Sequence, residues 1–433
     1  MVARVCEVQY DGILVGTLAY TDESSFASFE YDPDWVQGGF SLSPLYMPLS
    51  REVYQFPSLS AETYKGLPAV FSDSLPDDFG NALIDSWLAR TGQDKAQFSA
   101  IDRLLYTGTR GMGALEYQTE INPFRNHDGD LQVESLIKLA QKVLDQRGGV
   151  SIASEDEDAM RQLLQVGTSA GGARPKAVVA VNEDRTRIVS GQVAAPEGFE
   201  HYLLKFDGIT EHHNDQQTFG DPKGYGLMEY AYYKMAIASG IDMMPCELFK
   251  ENGRSHFMTK RFDRDQNQKY HILTLCGMAH ADFKKPGYYS YEELLMVARQ
   301  LRLPQPEQVE IFRRMAFNVV ARNQDDHTKN WAFFVNDDYE WRLSPAYDIA
   351  YSYRPDSFWV SQHQMSINGK RDHFQREDLL KVADLITGLS RHKANEIIDQ
   401  IVDQVKRWPD VAKEVGVFDT FIKNSHKYLR LTI

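Results

Sequence analysis

The texture of the chain changes once along its length, and that change limits the folds open to it. Between residues 176 and 262 the sequence reads as loop and strand: an apolar run at 176–181, strand-like segments at 185–189 and 201–206, and strands at 247–250 and 256–262 joined across Asn252-Gly253. One helix interrupts this region, at 227–239, with Met228, Ala231, Met235 and Ala238 on a common face. From Tyr289 onward apolar residues recur at helical spacing, at 291–302, 308–322, 376–389 and 393–407. A sheet-rich middle followed by a helix-rich end outlines a two-lobed α+β molecule.

The part ahead of the middle region opens on a small sheet. Residues 5–21 alternate around Asp11-Gly12, a hairpin signal, and 26–31 reads as another strand. Helices are expected at 79–90, after Pro76-Asp77-Asp78, and at 131–144. A polar loop at 126–130 and a linker at 147–154 place a boundary near 150, and a short helix follows at 155–166. Three segments result: 1–150, β-rich with helices; 151–262, a sheet lobe with a Gly-rich loop; and 263–433, an all-α C-terminal lobe.

Composition narrows the functions. Lys and Arg number 47 against 61 Asp and Glu, a net charge of −14, the wrong sign for bulk attraction to nucleic acid or an anionic membrane. Any nucleic-acid role then needs a local basic patch or a basic partner. The three cysteines, Cys6, Cys246 and Cys276, show no C-x-x-C spacing, so neither a disulfide framework nor a structural zinc site is expected. The N-terminus alternates apolar and polar residues and has no continuous apolar h-region, and no stretch approaches the length needed to span a bilayer. A cytoplasmic protein with no membrane partner is expected.

The strongest chemical signal is Asn323-Gln-Asp325-Asp326-His327-Thr328-Lys329-Asn330, followed by a strand-like 331–335 and Pro345-Ala-Tyr-Asp348. Asp325 and Asn330 form D-x-x-x-x-N, the spacing by which kinases place a catalytic aspartate and a metal-binding asparagine, and Asp348 stands where a second metal carboxylate follows. Phosphoryl transfer needs one carboxylate to receive the hydroxyl proton and hard oxygen ligands to hold Mg²⁺ against the phosphates. Each piece taken singly also fits a polar helix end and turn; their joint order points to chemistry.

Gly167 to Gly172 has a G-x-x-x-x-G frame, but Ala173 stands where a Walker A loop needs lysine and a strand follows, so a phosphate-covering lid or a plain tight turn are the readings left. Arg174 or Lys176 adds positive charge there. Lys205 ends a strand as the phosphate lysine of kinases does, with Glu229 on the next helix as a candidate ion-pair partner; the bland reading is a surface lysine and a solvated glutamate. Residues 258–262 at a strand end are a candidate lobe connection meeting the adenine edge. His201, His212 and His213 read as solvated loop histidines, and the pairs Tyr232-Tyr233 and Tyr288-Tyr289 as packing.

The combination of S-x-G-G-A-R-P-K at 169–176, the strand lysine Lys205, R-F-D-R at 261–264, D-D-H-T-K-N at 325–330 and P-x-Y-D at 345–348 resembles the HipA family of bacterial serine/threonine kinases, toxins of type II toxin–antitoxin modules. The resemblance spans nearly the whole chain. It implies a two-lobed, protein-kinase-like fold using ATP and Mg²⁺. It implies Asp325 as catalytic base, with His327 ordering the loop or serving as a plain structural histidine, and Asn330 and Asp348 as metal ligands. Nucleotide contacts are implied at Ser169, Ala170, Gly171, Gly172, Ala173, Lys176, Lys205, Thr259, Lys260 and Phe262, besides Asn330 and Asp348. Ser169 is implied as the autophosphorylated residue whose modification silences the kinase. The implied partners are a protein substrate of translation, an aminoacyl-tRNA synthetase first among them, and a HipB-like helix-turn-helix antitoxin through which DNA is met indirectly. Two other readings stay open: a small-molecule phosphotransferase, which also uses D-x-x-x-x-N, and a non-catalytic corepressor partner of the antitoxin.

Overall fold

A computed structural model of the chain describes residues 5–20, 25–118, 129–146, 157–167, 174–209 and 223–433. The chain divides into two compact units, one of residues 1–42, 47–226 and 246–271 and the other of 43–46, 227–245 and 272–433.

In the first unit, β1 (Val5–Tyr10), β2 (Ile13–Tyr20), β3 (Ala27–Tyr31) and β4 (Leu115–Gln118) form an antiparallel sheet in the order β3-β2-β1-β4. Its opening hairpin turns at Asp11 (φ 49°) and Gly12 (φ 73°), two successive positive φ values that match the right-handed twist of the strands. A second antiparallel sheet, of order β6-β5-β7-β9-β8, is built from β5 (Lys176–Asn182), β6 (Ile188–Ser190), β7 (Phe199–Lys205), β8 (Cys246–Glu251) and β9 (Arg254–Lys260). Its β8–β9 hairpin repeats the same turn at Asn252 (φ 46°) and Gly253 (φ 72°). A two-stranded ribbon, β10 (Arg264–Asp265) with β11 (Gln268–Lys269), follows.

The apolar run of β5 does not alternate because both its faces are covered. Ala177, Val179 and Val181 face a core shared with Tyr202, Leu204 and Met258 and with three helices, Asp78–Arg90, Val133–Gln146 and Glu157–Gly167. Ala180 packs in a separate small cluster with Val189 and Ala195. Residues on both sides of position 150 therefore share one hydrophobic core; the linker expected at 147–154 lies outside the described residues. The helix Tyr225–Ala238 starts close against β9: a Cβ on Gly226 would stand 2.1 Å from the Ser255 carbonyl oxygen, so only glycine fits there.

The second unit is mostly helical, yet it carries a three-stranded antiparallel sheet, β12 (Ile272–Thr274), β13 (Ala332–Val335) and β14 (Trp341–Leu343). Around it lie Tyr291–Gln300, Gln305–Val320, Arg376–Ala383, Arg391–Lys406, Trp408–Val415 and Asp419–His426. The first of these is fixed at its start by a capping box: the Ser290 hydroxyl accepts from the Glu293 N–H at 3.1 Å while Glu293 accepts from the Ser290 N–H at 2.8 Å. Tyr232 is fully buried, edge-on to Trp408 at 5.1 Å, and donates its hydroxyl to the Ala321 carbonyl at 2.7 Å. Tyr288, read as packing, is 60% exposed instead. Among the described residues no helix is long and apolar enough to cross a membrane.

Candidate active site

The helix Gln305–Val320 delivers the D-D-H-T-K-N segment. Arg322 takes φ 57° and turns the chain out of the helix, and the next residues run irregularly to a short 3-10 turn at Thr328–Asn330 before β13 begins. The Asn323 amide donates to Asn318 Oδ1 at 2.9 Å and the Thr328 hydroxyl to the Ala281 carbonyl at 2.6 Å, pinning the loop at both ends.

Two adjacent aspartates meet opposite fates in this loop. Asp326 is 1% exposed and fully engaged: it accepts from the Tyr291 hydroxyl at 2.7 Å, from His363 Nδ1 at 2.8 Å and from the Gln364 N–H at 2.7 Å. Arg430 donates to His363 Nε2 at 3.1 Å, which leaves the ring proton on Nδ1 facing Asp326. Burial opposes the charge on Asp326, but His363 and the two other donors outweigh it and hold the carboxyl below its ordinary value. Asp325 faces the other way, with its side chain 37% exposed. Its Oδ1 accepts from the Trp359 indole N–H at 2.8 Å, and His327 Nε2 lies 3.9 Å from the same oxygen. The aspartate of the D-x-x-x-x-N spacing is thus the more exposed of the two.

Asn330 donates its amide to the Asp325 carbonyl at 2.7 Å, and its Oδ1 is a hard oxygen that could serve as a metal ligand. Asp348 adopts φ 56°, a left-handed conformation that aspartate tolerates better than most residues. Its neighbours Tyr347 and Ile349 line a small cavity together with Asn330, Asn323, Asp326 and Arg314, and the Tyr347 hydroxyl donates to the Lys329 carbonyl at 2.7 Å. Among the described residues no group of three or more His, Cys, Asp and Glu is placed to hold a metal. One amide oxygen and one carboxylate, completed by phosphate and water oxygens, suit Mg²⁺, which keeps several waters and takes few protein ligands.

The sheet unit places the remaining candidates. Lys205 ends β7, 8% exposed, with its ammonium 5.7 Å from the centre of the Phe257 ring. Lys176, its cross-strand neighbour, corrects one expectation. It is 2% exposed and bound to Asp77 at 3.0 Å, because β5 begins at Lys176 itself and carries the side chain under the sheet instead of into the loop. Burial pushes the Asp77 carboxyl up to about 6, against the pull of Lys176. Lys260 pairs with Glu200, and Thr259 Oγ1 accepts from the Cys246 thiol at 3.4 Å. Phe262, just past β9, is half-buried. Arg174 stacks over the Tyr225 ring at 3.9 Å. Ser169, Ala170, Gly171, Gly172 and Ala173 lie outside the described residues, as do His212 and His213. Glu229, on the helix of the second unit, is buried at 2% exposure, unlike a solvated helix glutamate.

Two sequence readings change their meaning. His201 is not a loop histidine: it is 4% exposed in β7, bonded to the Gly191 carbonyl at 3.1 Å, and lowered to about 4 by burial and then by Arg261. The R-F-D-R motif is a buried clamp. Asp263 takes Arg261 at 2.8 and 2.6 Å, Arg264 at 2.9 Å and the Gly113 N–H at 2.7 Å, while Arg264 also donates to the Gly113 and Gly111 carbonyls at 2.8 and 3.1 Å. It ties the 111–113 loop to the chain leaving β9.

Sequence reasoning missed Trp359, His363 and Tyr291, which hold the two aspartates from 34, 37 and 35 residues away. The one local sign was a dense polar and aromatic stretch, Trp359-Val-Ser-Gln-His-Gln364, with no helical or strand period.

Comparison with known proteins meets this geometry from outside. A model of the HipA N-terminal domain matches residues 6–118, and one of the HipA-like C-terminal domain matches residues 168–408. The chain belongs to the HipA family. It is 24% identical over 364 residues to "Putative kinase Y4mE" of Sinorhizobium fredii, covering 81% of this chain and 77% of that one. To "Serine/threonine-protein kinase toxin HipA" of Shewanella oneidensis it is 20% identical, over 76% of this chain and 71% of the relative. A chain in the solved complex of HipA, HipB and operator DNA from Shewanella oneidensis MR-1 superposes with a TM-score of 0.68 at 17% identity, covering 98% of this chain and 95% of that chain. The fold is therefore the α+β, kinase-like fold of HipA, and membership makes the chain a kinase-like phosphotransferase.

Proposed function

We propose that this HipA-family protein is an ATP- and Mg²⁺-dependent protein serine/threonine kinase, the toxin of a toxin–antitoxin module. The observation that carries the reading is the division of labour at Asp325 and Asp326: one carboxylate is buried and saturated, while its neighbour is half-open, oriented by an indole and bonded through its backbone carbonyl to the Asn330 amide. Asp325 orients the substrate hydroxyl and accepts its proton. Asn330 and Asp348 hold Mg²⁺, which neutralises charge on the phosphates. Asp326, through Tyr291, His363 and Gln364, keeps the loop in place while leaving Asp325 outside the core. Lys205 binds a nucleotide phosphate, and Ser169 is the residue whose autophosphorylation silences the enzyme.

The substrate is a protein hydroxyl, with an aminoacyl-tRNA synthetase the first translation protein to assay. The partner is a HipB-like antitoxin, the class of protein found with HipA in the Shewanella complex. Incubation with radiolabelled ATP, Mg²⁺ and a bacterial extract should give labelled phosphoserine or phosphothreonine with the wild type and none with Asp325→Ala or Asp348→Ala at unchanged thermal midpoint. Full activity in either variant would remove the mechanism. Label appearing only on small molecules would move the protein to the other class of phosphotransferases that use D-x-x-x-x-N.

A further inference from the structure

One loop of the helical unit reaches both aspartates at once. Residues 357–364 contain no helix or strand, yet they are tightly tied. The Ser357 hydroxyl accepts from the Trp359 and Val360 N–H groups, both at 3.2 Å, and the Gln364 side chain holds the Trp359 carbonyl. From this bracket three donors leave toward the D-D pair: the Trp359 indole N–H to Asp325 Oδ1, and His363 Nδ1 and the Gln364 N–H to Asp326. Trp359 is itself half-buried, and His327 stands between its ring, at 6.3 Å, and that of Phe283, at 5.5 Å.

We infer that Trp359 is a positioning residue for the catalytic base, an inference that rests on the kinase reading. A carboxylate on a loop can rotate about χ2, and either oxygen can then be the one that faces the substrate hydroxyl. The indole N–H is a donor with no acceptor capacity, so it can bind Asp325 only as a hydrogen-bond donor, and it occupies Oδ1 alone. Oδ2 is left to accept the proton. The Gln364 bracket holds the indole in the segment whose Gln364 N–H and His363 also bind Asp326, so donor and base sit on two loops tied to each other by hydrogen bonds. The advantage is orientation: a base held in one rotamer spends more of its time in the reactive geometry. No proton passes through Trp359.

Replacing Trp359 by 3-benzothienylalanine keeps the ring's shape and removes the N–H. The expected result is a fall in kcat of about tenfold, the size of one hydrogen bond to a charged group, with KM for ATP within twofold of wild type and an unchanged thermal midpoint. 7-Azatryptophan, which retains the N–H, should restore kcat. In a ¹⁵N-labelled wild-type sample the Trp359 indole N–H resonance should move on Asp325→Asn substitution. An unchanged kcat with the benzothienyl residue, or an indole resonance indifferent to Asp325→Asn, overturns the inference while leaving the kinase reading intact. A wild type that transfers no phosphate removes both.

Discussion

The R-F-D-R clamp at 261–264 and the D-D-H-T-K-N loop at 325–330 look alike on paper, each a short run of charged residues at the edge of a strand. In the folded chain they are opposites. Asp263 is 1% exposed and bonded on both oxygens to two buried arginines and a backbone N–H, which push its carboxyl far below the usual range despite burial. Nothing is left for a ligand. Asp325 keeps one oxygen open and a side chain 37% exposed. Charge density in a sequence therefore does not separate a saturated structural carboxylate from one left open; its partners in the fold do. The same contrast recurs inside the loop itself, where Asp326 is saturated as Asp263 is and Asp325 is not.

The comparison is sharpened by exchanging its two ends. Asp325→Ala should reduce phosphate transfer by about a thousandfold or more, roughly 4 kcal/mol in transition-state stabilisation, while its urea midpoint stays within error of wild type. Asp263→Ala should do the reverse. It leaves two guanidinium groups buried without their carboxylate, a loss of about 3–5 kcal/mol read from urea unfolding, with the activity of the surviving folded fraction retained. A stable Asp263→Ala variant would break the contrast.

Acid titration probes the buried polar groups of the sheet unit together. His201, His256 and His271 are lowered to about 4, each first by burial, with Arg261 adding to the effect at His201 and Arg254 at His256. Their ordinary value is 6.5, so between about 6.5 and about 4 the unfolded chain binds protons that the folded chain refuses. Stability is then complete above that window and falls as pH falls through it, by up to about 3 kcal/mol per histidine. Asp77, raised to about 6 in the same unit, works the other way and gains stability as pH falls, so denaturant midpoints measured from pH 7 down to pH 5 should still drop but less than the three histidines alone would give, and a rising series would mean these imidazoles reach solvent. The smallest effect is expected at Ser290→Ala, which removes a cap from the helix carrying Tyr291. A loss of about 1 kcal/mol in stability with phosphate transfer unchanged would show that Asp326 is held by its own network and does not depend on the end of that helix.

Local signals carried much of this structure. Asp11-Gly12 and Asn252-Gly253 announced their hairpins because both positions of such a turn need positive φ, and the 79–90 helix announced itself through Asp77, whose carboxylate caps it by accepting from the Gly80 N–H at 2.6 Å. D-x-x-x-x-N brought Asp325 and Asn330 together as candidates, and they are in hydrogen-bond contact because the spacing is itself local. What stayed hidden depends on partners distant in sequence. Lys176 looked like a lid cation because Asp77, 99 residues earlier, is invisible from its surroundings. His201 looked solvated for want of its neighbours Gly191 and Asn267. β12 and β14, at three residues each, are too short to show a period, and the all-α lobe expected at 263–433 gains its small sheet from them.

Val179 and Val181 rest on helices that precede residue 168, where the match to the family's C-terminal domain begins. A chain shortened to that domain would keep Asp325, Asn330 and Asp348 but bare an aliphatic sheet face to water, making it adhesive to itself and to other proteins. The residues upstream thus act, for this chain, as an intramolecular chaperone that never departs.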